Sequence, residues 1–468
     1  MPLVPLPALS SDDHLEPDSP NEASSEAQAQ TAIDDLAHLL ARIAGLRRAV
    51  AWDAESFELP DLHEASALVQ KCQPMDPPSL PVSQQALDAL AAWAALHGVR
   101  FAPGLRLLAT PKGASVKATA PIARGATLVE VPLSAMLRNG DVFADPILGP
   151  WLQEAPLFGP GNLMLWLLRA RYVNEATNTW APYVAALPGE VAGTALSWPR
   201  SPGSHLVAAN MGRSFLAGVL QLYCIAHHRL RLTEPAKRPL PLEAFTLQRW
   251  LWAGAILSSR QTAVPDELAL VPLWDLLDHD ETLGAESTFL EGNSLRAVAG
   301  MNYTAGEAVR MFYGRRTPTE RWVYAGFVVP GPPDGERAKL AFPLPKDAPL
   351  RRDKLVWLLA DPERAIEVTV AHGDVSEALK RARWYALDAD ELDRLGIASV
   401  ADVWREELQL SVSGEARARG MLADWLAFRA GPVGALDIID TFSPEHEHML
   451  RAAHAHYSAI QRSCEASG

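Results

Sequence analysis

The chain has 468 residues, 48% of them hydrophobic and 21% charged, the balance of a soluble globular protein and not of a collagen-like or wholly disordered one. That length accommodates two or three globular units with a sizeable core. The formal net charge of −14 argues against a nucleic-acid backbone or an anionic membrane as the main partner, and a basic or neutral protein fits better.

The cysteines, Cys72, Cys224 and Cys464, are scattered and form no CxxC pair, so neither a disulfide framework nor a zinc cluster is expected. Charge or proline interrupts every apolar run before it reaches transmembrane length. No Lys or Arg precedes Arg42, which argues against secretory and mitochondrial presequences. The expected location is the cytoplasm, with the nucleus left open.

In chain order, residues 1–30 are rich in Pro, Ser, Asp and Glu and read as a disordered acidic segment. Thr31 is placed to open a helix, with Asp34 at the capping-box position and Ile33, Leu36, Leu39, Leu40, Ile43 and Leu46 on one stripe. Pro74, Pro77, Pro78 and Pro81 mark a linker, which closes an N-terminal unit of residues 31–83. A helix is predicted from Gln84 to about His97.

A β-rich stretch follows. Leu105–Leu108 and Val116–Ala118 flank the turn Pro111-Lys112-Gly113, and Ala123-Arg124-Gly125 feeds a strand from Thr127 to Val131. The same design recurs where Thr304-Ala305-Gly306 leads into Ala308–Phe312, so a sheet assembled from distant segments is expected. Residues 140–255 between them read as helical, notably Leu163–Tyr172, Leu206–Leu230 and Leu247–Leu257. Beyond Pro330 the pattern is again helical, over Val375–Arg383, Arg417–Arg429 and Glu445–Gln461. The order β, helical insert, β, helical tail defines an α+β fold and not a repeating βαβ enzyme.

Two blocks carry the chemistry. One is Ser258-Ser259-Arg260-Gln261, followed by Leu270-Val271-Pro272-Leu273-Trp274-Asp275-Leu276-Leu277-Asp278-His279. The other is Met311-Phe312-Tyr313-Gly314, leading to Tyr324-Ala325-Gly326-Phe327. With the Gly-turn hairpin from Pro111 to Pro132, and in that order, they resemble the SET-domain protein methyltransferases. The branch resembled contains the Rubisco large-subunit lysine methyltransferases and the actin-histidine methyltransferases. Trp180-Ala181-Pro182-Tyr183 with Leu187-Pro188 is similar to a helical-insert motif of that branch, and Leu387–Leu392 to its C-terminal helical domain. The resemblance spans residues 85–400.

It implies a SET-type β fold at 84–330, with the helical insert at about 140–255, and an all-α substrate-binding domain at 331–468. It also implies S-adenosyl-L-methionine as cofactor. The alternative Rossmann cradle would need a Gly-rich loop between strand and helix, and Gly159-Pro160-Gly161 is only a turn. By resemblance the cofactor contacts are Lys112, Gly113, Ala114, Arg260, Asp278, His279 and Phe327, with Arg260 bonded to the cofactor's carboxylate. Tyr313 is the catalytic side chain implied, placed to orient the nucleophile beside the methyl channel, because methyl transfer depends on positioning and electrostatics. Gln261, Thr262 and Trp274 would shape the target pocket. Ser115 stands where the branch has a second glycine, Asp278 where it has asparagine, and Thr262 where the histidine enzymes have asparagine.

Trp274 and Arg260-Gln261 follow the histidine methylators, so a histidine of actin is the favoured target. Protein lysine is the alternative, and a catalytically weak SET-fold scaffold that only binds protein is a third. A monomer acting on a protein substrate, with no nucleic acid, membrane or metal, is expected. His446, His448, His454 and His456 fall on several faces of a helix, lack metal-ligand spacing and read as solvated helix histidines.

Overall fold

A computed structural model describes residues 27–40, 62–77, 80–111, 113–173, 178–198, 207–264, 267–283, 288–314, 316, 320–327, 337–342, 344–359, 367–371, 375–404 and 406–430. The expected helix over Glu445–Gln461, with its four histidines, lies outside these residues, as do Ile43, Leu46 and Lys112.

The first helix, α1 (27–40), begins earlier than expected and takes in the end of the stretch read as disordered. Thr31 does not cap it: its hydroxyl donates to the Ala27 carbonyl one turn back (3.0 Å), a mid-helix habit of threonine. The apolar stripe holds, with Ile33, Leu36 and Leu40 all buried against the body. A helix not anticipated, α2 (Leu62–Lys71), precedes the proline segment. That segment is fastened to the body. Gln73 Nε2 donates to Tyr223 Oη (2.6 Å), Gln73 Oε1 accepts from Leu247 N–H (2.8 Å), and Asp76 pairs with Arg249 (2.5 Å).

Helix α3 (Gln84–Leu96) starts at Ser83, whose side chain accepts from Ala86 N–H as an N-cap should. The β-rich part comprises β1 (Arg100–Phe101), β2 (Leu105–Thr110), β3 (Gly113–Ala118), β4 (Thr127–Pro132) and β5 (Leu137–Arg138). In register, Thr110 faces Gly113 and Leu105 faces Ala118, so β2 and β3 form a hairpin with a two-residue connection. The helical insert supplies α4 (Leu148–Glu154), α5 (Gly161–Tyr172), α6 (Ala181–Ala186), α7 (Val207–Leu232) and α8 (Leu247–Arg260). Next come β6 (Thr262–Val264), β7 (Glu267–Leu270), β8 (Asp278–His279), β9 (Thr288–Glu291), β10 (Ser294–Val298) and β11 (Arg310–Met311).

These strands confirm assembly from distant segments. One sheet has the order β1-β4-β10-β9 and another β5-β7-β6, while β11 pairs with β8. The β8–β11 pair is parallel, with Arg310 against Asp278 and Met311 against His279. The strand expected over Ala308–Phe312 is thus shorter than the pattern implied, with Ala308 in a single bridge to Lys117.

A second apolar cluster, with Phe342, Trp384, Tyr385 and Trp425 at its centre, is separate from the main core. Its elements include helices Arg351–Leu359, Ser376–Ala386, Ala389–Leu395 and Val412–Ala430. The expectation that this part is all-α is corrected: β12 (Arg337–Ala341) and β13 (Glu367–Ala371) pair antiparallel within it. Both strands alternate in sequence, as Arg337-Ala338-Lys339-Leu340 and Glu367-Val368-Thr369-Val370, but each signal runs over only five residues amid longer helical periodicity.

Between the two, Arg321–Ala325 forms a π-helical turn ended by Gly326 at φ 78°. Here two chain segments cross at backbone distance. A Cβ on Gly326 would lie 2.5 Å from the Ala192 carbonyl oxygen, and one on Gly193 would lie 2.4 Å from that of Gly326. Only glycine permits this approach, and Ala195 N–H donates to the Val323 carbonyl beside it (2.9 Å).

Candidate functional site

The turn Trp274–Leu276 and the residue after it gather the motif residues. Its entry is unusual: Leu273, buried, is held at φ 64°, a conformation that costs a side-chain-bearing residue about 1–3 kcal/mol and clusters at functional sites. Strand β3, which begins at Gly113, packs against this turn. The last residue of α8, Arg260, reaches it by donating from Nη1 to the Asp275 carbonyl (2.9 Å). The same Nη1 lies 3.7 Å from Asp275 Oδ2. Arg260 Nε is buried without a partner. The guanidinium is therefore anchored at Nη1, and the buried Nε keeps an unmet donor of the kind a carboxylate satisfies.

Asp278 opens β8. Asp278 is exposed, yet the protein packed around its carboxyl raises its pKa by desolvation, against the charges of Arg310 and Arg260 nearby. An arginine and a carboxylate near one another form a donor set that fits a zwitterionic amino-acid group. Gly113 adds a cradle: it is buried, its φ is 126°, and a Cβ there would meet nothing within 4 Å.

His279 has both ring nitrogens engaged. Nδ1 accepts from Tyr313 N–H (3.1 Å), which puts the ring proton on Nε2, and Nε2 donates to Glu281 (2.8 Å). Burial lowers its pKa, so the ring is neutral, while the Glu281 carboxylate pulls the other way. Glu281 is itself held by Arg321 at 2.5 Å. The ring is 1% exposed and serves to hold the Tyr313 backbone, so any ligand contact from its nitrogens would require breaking one of these bonds.

Tyr313 donates its hydroxyl proton to the Leu277 carbonyl (2.6 Å). Burial pushes the phenol well above its ordinary pKa, and the Asp278 carboxylate adds to this. The hydroxyl thus stays protonated, and its oxygen keeps only lone pairs to present. Phe327 lies edge-on to Tyr313 at 6.4 Å and tilted against His279 at 5.9 Å.

Arg260, Asp278, His279, Tyr313 and Phe327 are thereby joined by direct contacts or charge, and Gly113 and Ala114 lie in the strand on the same turn. Trp274 is in the turn and buried. Gln261 and Thr262 continue from Arg260 into β6, Gln261 with a buried Oε1 that has no partner. Lys112 lies outside the described residues. Four participants were not singled out from sequence. Asp275 lies inside the quoted block and Tyr183, whose hydroxyl donates to Asp275 Oδ2 (2.7 Å), inside the insert motif, with no spacing to join them, while Glu281 and Arg321 carry no signal. A cavity of about 940 Å³ lined by Phe101, Glu130, Leu273 and Arg296 includes none of Gly113, Arg260, Asp278, His279, Tyr313 and Phe327.

The architecture is that of the SET-domain methyltransferases. The chain superposes on the SET domain of LSMT bound to lysine and AdoHcy with a TM-score of 0.66, at 17% identity, over 82% of this chain and 91% of that one. On Rubisco LSMT bound to AdoMet the TM-score is 0.65, at 19% identity, over 84% and 91%. In sequence, it is 29% identical over 227 residues to the actin-histidine N-methyltransferase of Danio rerio, covering 46% of this chain and 38% of that protein. The Homo sapiens protein of the same name is 26% identical over 249 residues, 51% of this chain and 41% of that one. The chain thus spans about two-fifths of the length of these curated relatives. No protein-family model matches the sequence.

Proposed function

We propose that this protein is an S-adenosylmethionine-dependent protein methyltransferase that methylates a histidine side chain of actin. The observation that carries the methyltransferase assignment is that Arg260 and Asp278 lie close enough for their charges to act on one another and on the Tyr313 phenol, with β3 and its Gly113 packed on the adjoining turn. Arg260, with its unpartnered Nε, would hold the cofactor's carboxylate, and Asp278 would accept from its ammonium. Gly113 and Ala114 give it backbone, with Lys112 at the preceding turn position, and Phe327 and the His279 segment close the pocket. The cofactor supplies an electrophilic methyl group on a sulfonium sulfur.

Tyr313 acts as a fixed dipole. With its hydrogen bond to the Leu277 carbonyl fixing the hydroxyl, its oxygen lone pairs would stabilise positive charge on a methyl group bound beside it without reorganising. Because this phenol stays protonated, it is no base. A target imidazole, with an ordinary pKa of about 6.5, is largely neutral near pH 7, whereas a lysine at about 10.4 must first lose a proton. This favours histidine, as do Trp274 and the names of the relatives. Gln261 and Thr262 line the target side, and the C-terminal unit with its own core grips the protein substrate of a monomeric, cytoplasmic enzyme. Lysine is the second possibility, favoured by the LSMT structure bound to lysine.

The test is mass-spectrometric mapping of unmethylated actin after incubation with this protein and S-adenosylmethionine. A new methyl group on one actin histidine is expected. A methyl on lysine would overturn the target, and no methyl on actin would overturn the substrate.

A further inference from the structure

Asp275 is an expensive residue. Its side chain is 0% exposed, and its Oδ1 is buried without a hydrogen-bond partner. Enclosing a carboxylate costs several kcal/mol, roughly, and an apolar residue of similar size is often neutral or better for stability. Two groups stabilise the anion: the Tyr183 hydroxyl, which donates to Oδ2 (2.7 Å), and Arg260 Nη1, 3.7 Å from the same oxygen. Tyr183 comes from α6 in the helical insert and is 1% exposed. Its donation fixes the carboxylate's rotation, so Oδ2 cannot swing away to draw the guanidinium elsewhere. Arg260 is thus held at Nη1, by the Asp275 carbonyl and carboxylate together, while its buried Nε has no partner.

We propose that Asp275 is the positioning residue of Arg260, clamped by Tyr183, and that this three-residue link from the helical insert sets the protein's affinity for the amino-acid end of its cofactor. The inference rests on the methyltransferase assignment above and deepens it. A purely structural carboxylate would affect every ligand alike. A positioning one affects only a ligand whose carboxylate Arg260 grips.

Calorimetric titration of the full-length protein with S-adenosylmethionine and with 5′-methylthioadenosine, which has the adenosine but no amino-acid end, separates these cases. Asp275→Asn keeps the shape and removes the charge. It is expected to weaken S-adenosylmethionine binding roughly 10- to 100-fold while leaving methylthioadenosine unchanged, and to add nothing on an Arg260→Ala background. Equal loss for both ligands, no loss for either, or full additivity with Arg260→Ala would overturn the proposal. Should Asp275→Asn fail to fold, Tyr183→Phe is the second variant: a smaller loss confined to S-adenosylmethionine is expected, and unchanged binding overturns it. If the wild-type protein does not bind S-adenosylmethionine, the methyltransferase assignment itself falls, and this proposal with it.

Discussion

Replacing Tyr313 by phenylalanine removes one oxygen and leaves the ring against His279 and Phe327. Two effects follow from the geometry. The Leu277 carbonyl, on a residue 0% exposed, loses the donor 2.6 Å away, and an unsatisfied buried acceptor costs about 1–3 kcal/mol. A melting temperature lowered by a few degrees is expected, because the backbone N–H of residue 313 still donates to His279. On the proposed mechanism the second effect is on chemistry: loss of one preorganised dipole beside the transferred methyl is expected to lower kcat by about 10²–10³. The KM values for cofactor and protein target should move little, since the hydroxyl acts on developing charge and not on ground-state binding. Single-turnover methyl transfer from labelled S-adenosylmethionine, with thermal melts of both proteins, measures the two effects separately. A variant with the expected loss of stability but a wild-type transfer rate would refute the catalytic role and leave Tyr313 as a structural residue.

Other perturbations test other parts of the structure. Gly326→Ala places a Cβ 2.5 Å from the Ala192 carbonyl oxygen at φ 78°, so a loss of about 2–4 kcal/mol in denaturant unfolding is expected from strain and overlap. Gly420→Ala, with nothing within 4 Å, should by contrast be neutral or stabilising. Lys354 is 0% exposed and donates to the carbonyls of Pro349, Tyr385 and Leu387 at 2.6, 2.7 and 2.7 Å. Lys354→Met leaves these acceptors bare and should cost about 3–5 kcal/mol, with hydrogen exchange accelerating around Tyr385–Leu387. For His279, burial holds the folded pKa below the unfolded value of about 6.5. As pH falls below that value the unfolded chain takes up a proton that the folded one refuses, so stability declines. A His279→Gln variant should show a shallower acid slope of melting temperature than wild type, and identical slopes would contradict the neutral, bonded ring.

What the chain declares by itself is local. Ser83 starts α3 because its hydroxyl can reach the free N–H of Ala86, and Arg260 ends α8 where the apolar stripe stops. The hairpin β2–β3 follows from a turn needing only neighbouring residues, and the absence of a Gly-rich strand-to-helix loop argued against a Rossmann cradle. Such features rest on hydrogen bonds and periodicity within a few residues, which a sequence displays directly.

The tertiary structure decided everything whose partner is distant. Strands β8 and β11 are two residues each and exist only because each supplies the other's hydrogen bonds. The strands β12 and β13, inside a segment expected to be helical, likewise depend on each other. The proline segment was expected to be a linker, yet Gln73 and Asp76 find partners in α7 and α8. The neutral tautomer of His279 is set by Tyr313 N–H and Glu281 together, and Asp275 acquires its place from Tyr183 and Arg260, which no spacing rule connects. Burial and long-range pairing assign these roles, because a side chain's protonation, orientation and cost depend on what surrounds it in space and not on what flanks it along the chain.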